Sequence, residues 1–218
     1  MCHGGDPRRD GIRTDLVINF EITNHPRDNK SSNHVINHDM DTHDKVPGCN
    51  GGSTGILVAI GANLPRRTGE GPLQTCHWAV AEIGRIADIH VDAVSHWYES
   101  APVPPSGQPP YVNGVVRAHG DIRPEALLSA LQEIEARAGR VRTYINAARP
   151  LDLDIIAMGN IVRARPDPIL PHPRACQRAF VLLPLRDVAP DWRDPVSGDA
   201  LGTLLARVAD QPIARLPD

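Results

Sequence analysis

Between Arg149 and Ile156 the chain alternates charge and hydrocarbon, as Arg149-Pro150-Leu151-Asp152-Leu153-Asp154-Ile155-Ile156. This stretch restricts the fold more than any other, because a β-strand is the element that sorts such a pattern. Successive strand side chains point to opposite faces, so Asp152 and Asp154 share one face while Leu151, Leu153 and Ile155 share the other. The two aspartate Cα atoms then lie about 6.6 Å apart along the strand, close enough for both carboxylates to grip one or two hard cations that prefer oxygen ligands. A half-exposed strand with a solvated acidic face has the same alternation. What separates the two readings is what the rest of the chain places beside the acids.

Directly upstream lie three arginines within ten residues: Arg140 and Arg142, then a short polar loop over 143–148, then Arg149. A cationic clamp facing paired carboxylates is the charge arrangement a metal-bound polyphosphate needs. A solvated basic loop is the plainer alternative. A second informative strand is Tyr111-Val112-Asn113-Gly114-Val115-Val116, in which Tyr111 and Asn113 share a face. An aromatic plate beside a carboxamide suits a flat heterocycle, since tyrosine can stack while asparagine offers both a donor and an acceptor to a ring edge. An ordinary strand face can look the same. The loop before it, Ser100 to Pro110, carries five prolines, which forbid regular structure and keep it extended and stiff. Such a loop can wall a pocket.

The remaining elements alternate strand and helix. Ile56 to Ile60 is a short apolar run of buried-strand type, ended by Gly61-Ala62-Asn63. Leu73, Cys76, Val80 and Ile83 recur at helical spacing, with Gly84 to close the helix. Ile89 to Tyr98 favours one strand. Pro124 suits the first turn of a helix carrying Leu127, Leu131, Ile134 and Ala138, with Gln132 and Glu135 a turn apart and Gly139 as its stop. Met158 to Ile161 reads as a hairpin turn out of the acidic strand. A proline-bounded loop from Leu170 to Phe180 holds His172, Arg174 and Arg178, and Val181–Val188 and Leu201–Val208 are helical.

A net charge of -3 and a pI near 6.3 argue against a dedicated nucleic-acid binder. The four cysteines show no CxxC spacing and read as reduced thiols. No stretch approaches the apolar length of a membrane helix, and the N-terminus lacks the pattern of a secretory signal. A cytoplasmic chain acting on small molecules, without nucleic acid or membrane and as a monomer, is the expectation. Residues 1–55 hold five of the ten histidines but only one aromatic, Phe20, and are expected to be a disordered extension before a domain over 56–218.

Six segments in order, AIGANL (59–64), SHWYESAPV (95–103), QPPYVN (108–113), QEIEARAGRVR (132–142), RPLDLDII (149–156) and LPHPRACQRAFVLLPL (170–185), together resemble the 6-hydroxymethyl-7,8-dihydropterin pyrophosphokinase family. The resemblance implies an α+β fold, a ferredoxin-like and mostly antiparallel sheet with helices on both faces. It implies transfer of pyrophosphate from ATP to the hydroxymethyl group of the pterin, giving AMP and the pterin diphosphate, a step in tetrahydrofolate synthesis. By the same resemblance Asp152 and Asp154 hold two magnesium ions, and Arg140 and Arg149 close over the phosphates. Tyr111 and Phe180 enclose the pterin, with Ser100, Asn113 and the backbone near Val103 at its polar edge. Gln132, Glu135, Arg142, Ile155, Ile169, His172 and Arg178 line the ATP site. No residue stands out as a general base; Asp154 and loss of the proton without a base both remain open. One departure is plain. Where many members carry Trp-Gly-Pro-Arg before the acidic strand, this chain has Asn146-Ala147-Ala148-Arg149 in a loop about one residue shorter, with Tyr144 as the available aromatic. A non-catalytic nucleotide-sensing module on the same fold is the rival reading, against which the intact acids and arginines speak.

Overall fold

The computed structural model describes residues 53–103, 105–139 and 149–217, all within the compact unit Pro47–Asp218. The expected extension, apart from residues 53–55, lies outside the described residues, as do Arg140, Arg142, Tyr144 and the short loop over 143–148.

Among the described residues six strands form one sheet: β1 (Thr54–Ala62), β2 (Ile89–Val94), β3 (Tyr98–Ser100), β4 (Tyr111–Gly120), β5 (Asp152–Met158) and β6 (Ile213–Arg215). Every pairing is antiparallel, in the order β5-β1-β4-β3-β6, with β2 also laid along β4. Among the described residues four α-helices accompany the sheet: α1 (Pro72–Ile83), α2 (Pro124–Arg137), α3 (Ala179–Val188) and α4 (Leu201–Ala206). The architecture is the expected α+β arrangement.

Alternation along β1 divides the core. Ile56, Val58, Ile60 and Ala62 pack with Cys76 and Ile83 of α1 and with Leu127, Leu131 and Ile134 of α2. Leu57, together with Val115 and Ile156, packs instead against Leu182 and Leu185 of α3 and Leu201 and Leu204 of α4. Helices therefore cover both faces, α1 and α2 on one and α3 and α4 on the other. The leucines and isoleucines at their centres are essentially inaccessible, each contributing about 1.5–3 kcal/mol of burial. Helix α2 begins on Pro124, which needs no N–H there, and Gly139 at φ +94° ends the turn after it in a conformation that favours glycine.

Two local expectations need correction, and one strand is new. The strand expected over Ile89–Tyr98 is two strands on one neighbour: β2 pairs with Val116–Gly120 and β3 with Tyr111–Asn113. At the break the Ser95 hydroxyl accepts from the Val115 N–H (2.9 Å) and donates to the His96 carbonyl (2.7 Å), while the Trp97 ring packs against Gly114. The turn at Met158–Ile161 forms, with the Ile161 N–H donating to the Met158 carbonyl at 3.1 Å, but β5 pairs with β1 rather than with the chain that follows. That chain makes a bridge between Arg163 and Leu170 and returns to β5 through the His172 N–H, which donates to the Ile156 carbonyl at 2.8 Å. Strand β6, which pairs with β3, was not anticipated; its three residues carry no alternation long enough to mark a strand.

Candidate active site

The register places one row of residues across four strands: Asp152 of β5 pairs with Gly61 of β1, Gly61 with Asn113 of β4, and Asn113 with Tyr98 of β3. In the neighbouring row Asp154 pairs with Ala59. The acids and the carboxamide therefore rise on either side of a low floor made by a residue without a side chain and one with only a methyl. A Cβ at Gly61 would lie 3.7 Å from Asn113 Oδ1 and 4.0 Å from Asp152 Cβ.

One cavity opens over this floor, and a second lies beside it between α2 and the acidic strand. The first, about 260 Å³, is lined by Ser100, Val103, Tyr111, Asn113 and Phe180, all five residues expected at a pterin, together with Gly61 and Gln108. Asn113 Nδ2 donates to Ser100 Oγ (3.0 Å) and to the Tyr111 carbonyl (3.2 Å), which turns Oδ1 toward Gly61 as an acceptor. The Tyr111 hydroxyl donates to Gln108 Oε1 at 3.2 Å, and burial raises its phenol above the ordinary value, so it is a neutral plate. Phe180 sits in the first turn of α3 with the Arg178 guanidinium 5.3 Å over its ring.

The second cavity, about 250 Å³, is polar and is lined by Leu128, Gln132 and Glu135 of α2 and by His172, Arg174 and Arg178. Glu135 is buried, and its carboxylate accepts the Leu153 N–H at 2.8 Å, which ties α2 to the acidic strand. Arg149, Asp152, Asp154, His172 and Arg178 line both cavities and form their common wall. On it Arg149 Nη1 donates to Asp152 Oδ1 at 2.7 Å. His172 accepts the Arg174 N–H on Nδ1 at 3.2 Å, leaving the proton of the neutral ring on Nε2, which faces Asp154 Oδ2 at 3.8 Å. Burial holds the His172 pKa below its ordinary value, the Asp154 charge pulling the other way. Burial also lowers that of Arg178, a group that starts high enough to stay charged.

Two expected residues stand apart. The Ile155 side chain is buried in the core shared with α2, and Ile155 lines neither cavity. Ile169 is 40% exposed and lines neither cavity. Conversely, Gly61, Gln108 and Arg174 line the site although the sequence assigns none of them a role. Gly61 and Gln108 fall inside the AIGANL and QPPYVN segments, and Arg174 follows His172 by two residues in the proline-bounded loop. Those positions were the available signal.

Fold and site together define an α+β group-transfer enzyme with an aromatic slot, a polar slot and one charged wall between them. Residues 57–190 match the family described as 7,8-dihydro-6-hydroxymethylpterin-pyrophosphokinase. The 2-amino-4-hydroxy-6-hydroxymethyldihydropteridine pyrophosphokinase of Pseudomonas aeruginosa is 40% identical over 162 residues, 74% of this chain and 96% of that protein. The Synechocystis protein of the same name is 38% identical over 155 residues, 71% of this chain and 76% of that one. Among solved structures, Plasmodium falciparum HPPK-DHPS superposes with a TM-score of 0.57 at 11% identity, over 73% of this chain and 44% of that one, a likeness of fold. The chain belongs to the 7,8-dihydro-6-hydroxymethylpterin-pyrophosphokinase family, the pyrophosphokinases of folate biosynthesis.

Proposed function

We propose that this chain transfers the pyrophosphoryl group of ATP to the hydroxymethyl oxygen of 6-hydroxymethyl-7,8-dihydropterin, with the pterin in the first cavity and the nucleotide in the second. One observation carries the reading: the five charged and polar residues Arg149, Asp152, Asp154, His172 and Arg178 stand on the wall common to both cavities. The reacting atoms of two substrates, one flat and neutral and one polyanionic, meet at such a wall.

Tyr111 and Phe180 supply the flat faces for the pterin, and Asn113 Oδ1 the acceptor for its polar edge. Gln132 and Glu135 border the nucleotide side. The hydroxymethyl oxygen attacks the β-phosphorus, the new O–P bond forms as the bond to the α-phosphate bridge breaks, and AMP leaves. Arg149 and Arg178 neutralise the phosphate oxygens, so this chain contributes chiefly position and charge. His172 carries its proton on Nε2 and donates; the hydroxyl proton leaves to Asp154 or, without a base, to solvent.

The acids also fit magnesium. No group of three or more histidine, cysteine or acidic side chains among the described residues forms a closed cage. Mg²⁺ is ordinarily held by one or two carboxylates plus substrate phosphates and water, which is the donor set that Asp152 and Asp154 offer. When bound, it neutralises developing charge on the transferred group. Arg140 and Arg142 are proposed to add to the phosphate clamp. Free thiols at Cys76 and Cys176 suit a reducing compartment, and the cytoplasm is the proposed setting.

The test follows AMP release from purified protein given ATP, Mg²⁺ and the pterin alcohol. AMP should require both pterin and metal. ATP cleavage without pterin, or no cleavage at all, overturns the reading.

A further inference from the structure

Asn63, the residue just beyond β1, is 1% exposed although it is polar, and the hydrogen bonds of its side chain reach both edges of the site. Its Oδ1 accepts the Arg149 N–H at 3.1 Å, and its own N–H donates to the Arg149 carbonyl at 3.4 Å. On its other side Nδ2 donates to Gln108 Oε1 (3.1 Å) and to the Pro109 carbonyl (3.3 Å). Gln108 Oε1 also accepts the Tyr111 hydroxyl at 3.2 Å, and Arg149 Nη1 holds Asp152 at 2.7 Å. A continuous chain of hydrogen bonds therefore runs from the aromatic plate of the first cavity, through one buried carboxamide, to the arginine and acid of the common wall. Its middle member lines neither cavity.

Elementary geometry explains why a single residue is placed so. Arg149 precedes β5 and Gln108 precedes β4; each lies in a segment outside the sheet ladder, and their strands are separated by β1. Neither segment can fix the other directly. A carboxamide at the end of β1 can fix both, because it presents an acceptor and a donor on opposite sides of one rigid plane. Burial keeps water from competing for either bond.

We propose that Asn63 is a positioning residue for pyrophosphoryl transfer: it holds the Arg149 backbone on one side and the Gln108–Tyr111 edge on the other, so that the slot for the flat substrate and the charged wall stay in register. The inference rests on the proposed function for its kinetic consequences, but its structural core does not. Asn63 touches no substrate; it acts through Arg149 and Gln108.

Two variants separate the two links. Asn63→Ala removes both side-chain links and keeps only the backbone bond to the Arg149 carbonyl, and Gln108→Met removes the acceptor toward the Tyr111 side while leaving the bond from the Arg149 N–H to Asn63 Oδ1. The readout that needs no activity is amide hydrogen exchange at Arg149 in the unliganded protein. With the loss of a bond of ordinary strength, Asn63→Ala should speed that exchange by about three- to tenfold, and Gln108→Met should leave it as in the wild type. In turnover at saturating metal, Asn63→Ala should lower kcat and raise KM for the pterin alcohol, each by about threefold or more, whereas Gln108→Met should raise KM alone. Unchanged Arg149 exchange in Asn63→Ala overturns the proposal. So does an Asn63→Ala protein that melts earlier yet retains wild-type kcat and KM, since that is the behaviour of a purely structural clamp. If the wild type shows no transfer, the exchange arm still decides whether Asn63 holds Arg149, and the failure falls on the proposed function.

Discussion

Asp152 and Asn113 face one another across Gly61, both pairing with that residue, one from each side of β1. They stand two strand spacings apart, about 10 Å, with nothing taller than a hydrogen atom between them. The gap is part of the floor of the first cavity, where the pterin is proposed to lie, and between these two side chains its emptiness belongs to Gly61. Gly61→Ala should fold normally, since its Cβ would meet nothing nearer than 3.7 Å, yet the methyl would sit beside Asn113 Oδ1. The expected result is a raised KM for the pterin alcohol with little change in melting, and a larger rise for Gly61→Val. Steady-state kinetics beside thermal unfolding checks this; an unaltered KM in Gly61→Val would show that the floor is not used.

Arg149 and Asp152 form a charge-assisted pair at 2.7 Å on the common wall. Removing a group that stabilises developing charge in a closed site costs roughly a hundred- to a thousandfold in kcat, and Arg149→Ala and Asp152→Ala should each fall in that range or below it. Arg149→Lys should recover little, because an ammonium lacks the planar fork. AMP formation measured at saturating ATP decides, and an Arg149→Ala enzyme within about threefold of wild type would remove Arg149 from the mechanism.

Gly114 is a packing requirement rather than a site feature. A Cβ there would lie 2.4 Å from the Trp97 ring, so Gly114→Ala should cost about 1–3 kcal/mol through overpacking. Trp97→Leu takes the ring away, and the double variant should lose less than the sum of the two single losses. Urea unfolding of the three variants measures that coupling.

Stability should fall in alkali. Burial pushes the Cys76 thiol from 9.0 up to about 12, and burial, with the hydrogen bond to Asp187, raises the Tyr98 phenol above 10.0. Both groups are raised in the folded state, so the unfolded chain gives up its proton first and the stability they support is lost as pH rises. For Cys76 the window opens near 9 and closes near 12, at up to about 1.4 kcal/mol per pH unit. Urea midpoints should therefore drop between pH 8 and pH 10.5 (each to about a tenth of a unit), and Cys76→Ala should flatten the drop. Equal slopes in the two proteins would show that the thiol is not the cause.

Much of this was readable in the chain. The alternation of Leu151, Asp152, Leu153 and Asp154 required a strand with acids on one face, and β5 has that pattern because a strand offers two faces and the core takes the apolar one. The apolar spacing of α1, α2 and α3, and the face shared by Tyr111 and Asn113, are likewise local properties of period and side-chain chemistry. Local spacing could not say which strand lies beside which. The break at Ser95–Trp97 arises because Trp97 has Gly114 beneath it, a neighbour seventeen positions away, and β6 exists because β3 has a free edge for it. Only the tertiary structure brings Asp152, Gly61 and Asn113 into one row and seats Asn63 between Arg149 and Gln108. The acidic strand was determined by its own residues; its partners were decided by the sheet register, which depends on pairings between segments far apart in the chain.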